Sequence, residues 1–147
     1  MYVDFILSER QTPERVAFSL YLSHPQEHTG IGQKIKFDAV LLNEGNGYNP
    51  HIAAFVAPTK GLYLFAYSIG KSLTGQAVVH LMKNGNAINT AIVDVQTNYK
   101  EQQSGNVALV ELDVGDVVSV EEYNTADAKL YSNSVYRYTT FSGVLLM

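Results

Sequence analysis

The sequence predicts an all-β fold, a sandwich or a barrel, on three observations. It carries about eight to ten short apolar runs with turn residues every 8–12 positions. It shows no stretch with the 3.6-residue apolar period of an amphipathic helix. Its centre, Gly61 to Ile69, is an aromatic-rich run opened by the turn residues Pro58 and Gly61. Side chains alternate across a strand, so Tyr63, Phe65 and Tyr67 share one face and Leu62, Leu64 and Ala66 the other. Both faces are apolar, whereas an antiparallel strand normally has one wet face. One face therefore covers a core, and the other is expected to cover a second copy of the chain.

The elements follow in order. Residues 1–15 form a short N-terminal arm, and residues 16–147 form the domain. Val16 to Leu22 alternates as a strand, and 23–33 reads as a loop with two histidines, Pro25 and two glycines. Ile35 to Leu42 is apolar enough for a strand or a strand pair. The turn-forming segment Asn43-EGNGYNP follows. Ile52 to Val56 is a short strand before the central one. Ala77 to Lys83 and Asn86 to Val95 are predicted as a hairpin, because Asn84-Gly85 suits a type I′ turn with positive φ at both central residues. Gln96 to Asn106 is a polar loop. Val107 to Leu112 and Val117 to Tyr123 are strands joined through Val114-Gly115-Asp116, and 124–133 is a polar loop. Val135 to Met147 closes the chain as one long strand, with Phe141, Gly143, Leu145 and Met147 on one face and Val144 and Leu146 on the other.

The bulk properties narrow the function. A chain of 147 residues fits one domain, and its 46% hydrophobic content places it far from disorder. With no cysteine, disulfides, thiolate zinc sites and cysteine nucleophiles are excluded. The net charge of −4 and the lack of a basic run argue against nucleic acid as a partner. No apolar run approaches the roughly 20 residues that span a bilayer, so membrane insertion is not expected. The start, MYVDFILSERQTPER, lacks the basic flank and unbroken apolar run of a secretory signal. Neither Gly-x-y triplets nor heptads occur.

One spacing is specific. Phe37, five residues, Asn43, four, Tyr48, six, Phe55, five, and then Gly61-x-Tyr63-x-Phe65-x-Tyr67 resembles the signature of the globular C1q domain family. Later landmarks agree: Lys83-Asn84-Gly85, Leu112-x-x-Gly115-Asp116-x-Val118 and Phe141-Ser142-Gly143-x-Leu145-Leu146. The resemblance covers roughly residues 16–147 and departs at Ala53-Ala54, where the family often has a glycine before the strand ending in Phe55. It implies a ten-stranded antiparallel jelly-roll β-sandwich of the C1q and tumour necrosis factor type, assembled as a compact homotrimer. The absence of a collagen stalk within the chain makes it most like the stalkless C1q-domain proteins of molluscs.

No catalytic constellation is visible. His24, His28, His51 and His80 are not placed near a nucleophile by any motif, and Ser142 lacks the Gly-x-Ser-x-Gly elbow. There is no phosphate-binding loop, so a non-enzyme is expected. For sugar binding, an aromatic ring covers the C–H face of a sugar while amides and carboxylates pair with its hydroxyls. Among ten tyrosines, Tyr99, Tyr123, Tyr131 and Tyr136 fall in loops or at strand ends, with Asn98, Asn124, Asp127 and Asn133 close in sequence. Loops on a rigid sandwich are the usual seat of binding. Tyr99, Asn124, Asp127 and Tyr131 are the candidates, against the reading that these tyrosines only pack with their hydroxyls in water. The resemblance also implies calcium as an optional ligand, with Asp94 and Glu101 nearest to the acidic residues that hold it in some relatives. The competing reading is two solvated carboxylates. The function expected is a secreted, lectin-like innate-immune recognition protein for microbial carbohydrates. A secreted trimeric signalling ligand for a protein receptor is the alternative.

Overall fold

A computed structural model of the protein describes residues 15–123 and 127–147. The expected arm lies outside the described residues except for Arg15. The strands are β1 Ala17–Tyr21, β2 Gln26–Thr29, β3 Ala39–Glu44, β4 Tyr48–Asn49, β5 Ala54–Val56 and β6 Gly61–Lys71. They continue as β7 Gly75–Lys83, β8 Asn86–Val95, β9 Gln102–Leu112, β10 Val117–Glu122, β11 Ala128–Leu130 and β12 Thr140–Leu145. No helix occurs among the described residues.

Ten of these strands form two five-stranded sheets in the orders β3-β1-β12-β6-β9 and β4-β5-β10-β7-β8, and β2 with β11 makes a small ribbon. Every pair is antiparallel. The fold is the jelly-roll sandwich expected of the chain. Successive neighbours in the first sheet are far apart in sequence, so the sheet is built from non-local pairings.

The core explains the signature residue by residue. Tyr63, Phe65 and Tyr67 point inward, exposed by no more than 3%. Phe18 packs flat on Phe55 at 4.9 Å and edge-on to Phe141 at 4.8 Å, an arrangement that suits the quadrupoles of the rings. Phe37 is buried, and its carbonyl accepts the Tyr48 hydroxyl at 2.9 Å. Asn43 clamps the turn. Its Oδ1 accepts the Tyr48 N–H at 3.1 Å and its Nδ2 donates to the Tyr48 carbonyl at 3.0 Å. Gly61 is required by close approach, since a Cβ there would lie 2.4 Å from the Met147 carbonyl oxygen. Asn89 and Asn106 join the two sheets along β8 and β9. Asn89 accepts from the Tyr67 hydroxyl and donates to the Val107 carbonyl, both at 2.8 Å, and Asn106 donates to the Thr90 carbonyl at 3.1 Å.

Asn84 and Gly85 have φ of 49° and 81°, the two positive values that a type I′ hairpin needs. Ala53 has φ of 52° and is buried. At the Ala53-Ala54 departure, the first alanine is held in the left-handed region.

Several expectations are corrected. The strand foreseen over 135–147 is only Thr140–Leu145, because the chain from Tyr131 to Thr139 turns over the end of β6. The strand ends at Leu145, and Met147, 83% exposed, does not share the core face of Phe141. The stretches 23–33 and 124–133, read as loops, contribute β2 and β11, which pair with each other. The loop 96–106 is shorter than read, since β9 begins at Gln102. Ile35 and Phe37 are buried but lie outside any strand, and β3 begins at Ala39.

The outer face of the first sheet is apolar at its centre. Leu64 pairs with Val144 and Leu109, and Ala66 with Ser142 and Val107. Val107 and Leu109 are each more than 60% exposed, while Leu42 and Val144 are 38% and 37% exposed.

Candidate functional site

The ends of β6, β7, β9 and β12 gather a set of loops at one end of the sandwich. The base of this end is tightly fixed. The Gly70 N–H donates to Thr139 Oγ1, which donates in turn to the Tyr131 carbonyl, both at 3.0 Å. The Tyr131 N–H donates to the Gly70 carbonyl at 2.8 Å. Gln103 Nε2 donates to the Tyr138 carbonyl at 3.0 Å. A Cβ on Gly70 would stand 2.4 Å from Tyr138 Cβ and 2.8 Å from the Tyr131 carbonyl oxygen, so only glycine admits this packing. Below the loop lie Lys71 and Glu122, 5% and 1% exposed. Burial pushes the Lys71 ammonium down, the Glu122 carboxylate pulls it up, and the net direction is down. Lys71 Nζ also reaches the Lys129 carbonyl at 3.4 Å.

On this base stand three tyrosines. Tyr136 and Tyr138 stack with centroids 5.9 Å apart and planes 16° apart, and Tyr131 meets Tyr138 at 5.9 Å and 39°. Tyr136 is 55% exposed. Asn133 shapes the turn. Its Oδ1 accepts the N–H groups of Val135 at 2.9 Å and Tyr136 at 2.5 Å, and its Nδ2 donates to the Tyr131 hydroxyl at 3.3 Å. The Tyr138 hydroxyl donates to Glu101 Oε2 at 3.3 Å. Partial burial first, and then the Glu101 charge, push that hydroxyl above its ordinary pKa, so it stays a protonated donor. Arg137 lies 4.3 Å over the Tyr21 ring and donates to the Ser134 carbonyl at 3.0 Å. The arrangement offers flat aromatic surface edged by a carboxylate, amides and a guanidinium. It holds no nucleophile–base pair.

Of the four candidate sugar residues, Tyr131 belongs to this cluster. Tyr99 is anchored beside it: its N–H donates to the Ser72 carbonyl at 2.6 Å, and it is 76% exposed with φ of 66°. Its ring pairs with none of the three tyrosines. Asp127 faces elsewhere, its Oδ1 2.7 Å from His28 Nδ1. Asn124 lies outside the described residues. Tyr138 was not foreseen, because the segment was assigned to the last strand. The signal that finds it is Tyr131, Tyr136 and Tyr138 recurring within a Ser- and Asn-rich stretch.

Asp94 is exposed on β8 opposite Gln76, and Glu101 is engaged by Tyr138. Among the described residues no group of three His, Asp or Glu side chains converges to hold a metal. A hard cation such as calcium takes six or more oxygen ligands, backbone carbonyls and waters among them, of which Asp94 and Glu101 would be two.

Comparison with known proteins agrees with this architecture. The globular domain of zebrafish complement 1qA superposes with a TM-score of 0.72 at 16% identity, covering 91% of this chain and 98% of that one. Murine APRIL gives 0.71 at 17% identity, covering 90% of this chain and 99% of that one. Eiger TNF from S. frugiperda gives 0.73 at 11% identity, covering 92% and 94%. At these identities the likeness is one of fold. The C1q domain model matches residues 17–146, from the first residue of β1 to the penultimate residue, and the chain belongs to the C1q domain family.

Proposed function

We propose that this protein is a non-catalytic, secreted recognition protein that binds carbohydrates of microbial surfaces through the tyrosine loops at the end of a homotrimer. The observation that carries the reading is the Tyr136–Tyr138 stack beside Glu101, Gln103 and Asn133. A stacked, half-exposed ring pair covers the C–H face of a sugar, and it is already ordered, so little rotamer entropy is lost on binding. The Tyr138 hydroxyl occupies Oε2 of Glu101, which leaves Oε1 to accept from a sugar hydroxyl. Three such sites on one trimer engage a repetitive surface with avidity, without tight single sites. No metal enters the reading.

The test is a glycan array and a bacterial agglutination assay on the wild type, Tyr136→Ala and Tyr138→Phe, each with and without chelator. The wild type binds a defined set of neutral glycans, equally after chelation. Tyr136→Ala weakens binding about tenfold, as expected for loss of a stacking face of about 1–2 kcal/mol. Tyr138→Phe keeps the stack and loses less. A flat array would sink the reading. Together with tight binding to one membrane receptor, it would favour a trimeric signalling ligand, the second reading that the fold shared with Eiger TNF and APRIL supports.

A further inference from the structure

We propose a second binding site: a cationic groove between the 26–36 segment and the 50–53 turn that takes a sulfate- or carboxylate-bearing sugar. The groove encloses about 520 Å³, within the range of small-molecule sites, and none of its lining residues belongs to the tyrosine cluster. Lys34 and Lys36 project into it from one side of an extended segment, whose alternate residues Ile35 and Phe37 are buried in the core. Gln26 fixes both lysine backbones at once. Its Nε2 donates to the Lys34 carbonyl at 3.2 Å, and its Oε1 accepts the Lys36 N–H at 2.8 Å.

Among the described residues, the two lysines of the groove outnumber its one acid, Glu27. Lys34 Nζ spans the two walls to the Ile52 carbonyl at 3.3 Å, a neutral partner. Lys36 makes no ion pair among the described residues. Glu27, the one acid in the lining, is occupied by Lys129 at 2.9 Å. His51 adds ring nitrogens at the rim, where His28 Nδ1 is already held by the Asp127 carboxylate at 2.7 Å. In a concave site, such charges concentrate the field on an incoming anion.

The backbone gives a second, independent indication. Among the described residues, two of the five non-glycine residues with positive φ, His28 at 54° and Ala53 at 52°, line this one groove. Strained residues of this kind cluster at ligand sites because the surrounding structure must over-determine them. The chemistry of the walls selects the ligand. Pro50, Ile52 and Ala53 make one side apolar, and lysines with glutamine amides make the other polar, which matches a sugar ring bearing an acidic group. A long nucleic acid backbone is disfavoured by the short cationic stretch, two lysines in one segment.

The probes are a heparin-derived hexasaccharide, its desulfated form, its carboxyl-reduced form, and the form lacking both acids. Each is titrated by calorimetry, with amide shift mapping by NMR. The wild type binds at least one acidic form ten times or more tightly than the neutral form, and the two single-acid arms show whether sulfate or carboxylate is the recognised group. Shifts fall on residues 26–36 and 50–53. Lys34→Gln with Lys36→Gln removes the preference for acid, and the exposed single change Lys36→Gln reduces it if the double variant folds poorly. Tyr136→Ala leaves it intact, so this site and the tyrosine site fail separately. Absence of acid preference in the wild type, shifts mapping elsewhere, or undiminished preference in folded lysine variants would overturn the proposal.

Discussion

At the scale of single residues, Ala53 shows how one side chain can work against its backbone. A left-handed conformation costs a non-glycine residue about 1–2 kcal/mol, and glycine has no such cost. Asn46 and Asn84 also have positive φ, but asparagine tolerates it. Alanine has no polar group to offset the strain, and its 6% exposure shows that packing holds it there. Ala53→Gly therefore stabilises the fold by about 1 kcal/mol, after subtracting the greater freedom glycine gains when unfolded. At matched protein concentration this raises the melting temperature by about 3 °C. An unchanged or lower melting temperature would show that the alanine methyl packs well enough to outweigh its strain. The eight signature residues were legible at this scale because each has a chemical reason to be itself: five buried aromatics, the asparagine clamp, the close-approach glycine and the ring whose hydroxyl caps Phe37.

At the scale of elements, legibility depended on how local each strand's pairing is. The β7–β8 hairpin was readable because Asn84-Gly85 fixes its turn and its register follows from there. The β2–β11 ribbon was not, because its strands are short, lie about a hundred residues apart, and have too few residues to show alternation. The first half of β9 was hidden for a different reason. Gln102 to Asn106 is polar because β9 is the edge strand of its sheet and these side chains face solvent, so composition alone marked it as loop. The tyrosine loop was lost to the opposite error, since apolar content ran through 135–147 and suggested one strand. What bends the chain there is tertiary: the exchange of hydrogen bonds among Gly70, Tyr131 and Thr139. This makes Gly70→Ala the decisive change in the element. A methyl group at 2.4 Å from Tyr138 Cβ forces the loop outward, at a cost of about 1–3 kcal/mol typical of overpacking. The stack then loses its registration, and neutral-glycan binding falls at least tenfold while the strand spectrum by circular dichroism is unchanged. Full binding by a folded Gly70→Ala protein would separate the loop from recognition.

At the scale of the whole molecule, the outer face of the first sheet decides the assembly. Along β6 the inward residues are shielded within one protomer, whereas Leu64 and Ala66 look outward among Val107, Leu109, Leu42 and Val144. A contiguous apolar patch of several hundred Å² is unusual on a monomer, and obligate interfaces resemble a divided core of about 2,000 Å² or more. The face thus supports the proposed homotrimer, in which each sheet packs against two others and the tyrosine loops of three copies lie at one end. Leu109 is the place to test it. It is 63% exposed in the protomer, so Leu109→Glu costs the isolated fold within about 0.5 kcal/mol, as for other surface changes. In the trimer the same change would bury three carboxylates beside apolar neighbours, at several kcal/mol each. By sedimentation at micromolar concentration, the wild type runs at three times the 16.2 kDa protomer mass and Leu109→Glu at the protomer mass. Val114→Glu, 67% exposed in the turn between β9 and β10, remains trimeric as the control. The dissociated variant keeps its tyrosine stack but loses agglutination, because avidity requires the copies to be joined. A wild type that sediments as a stable protomer would leave the apolar face without its partner and remove the assembly from the functional proposal.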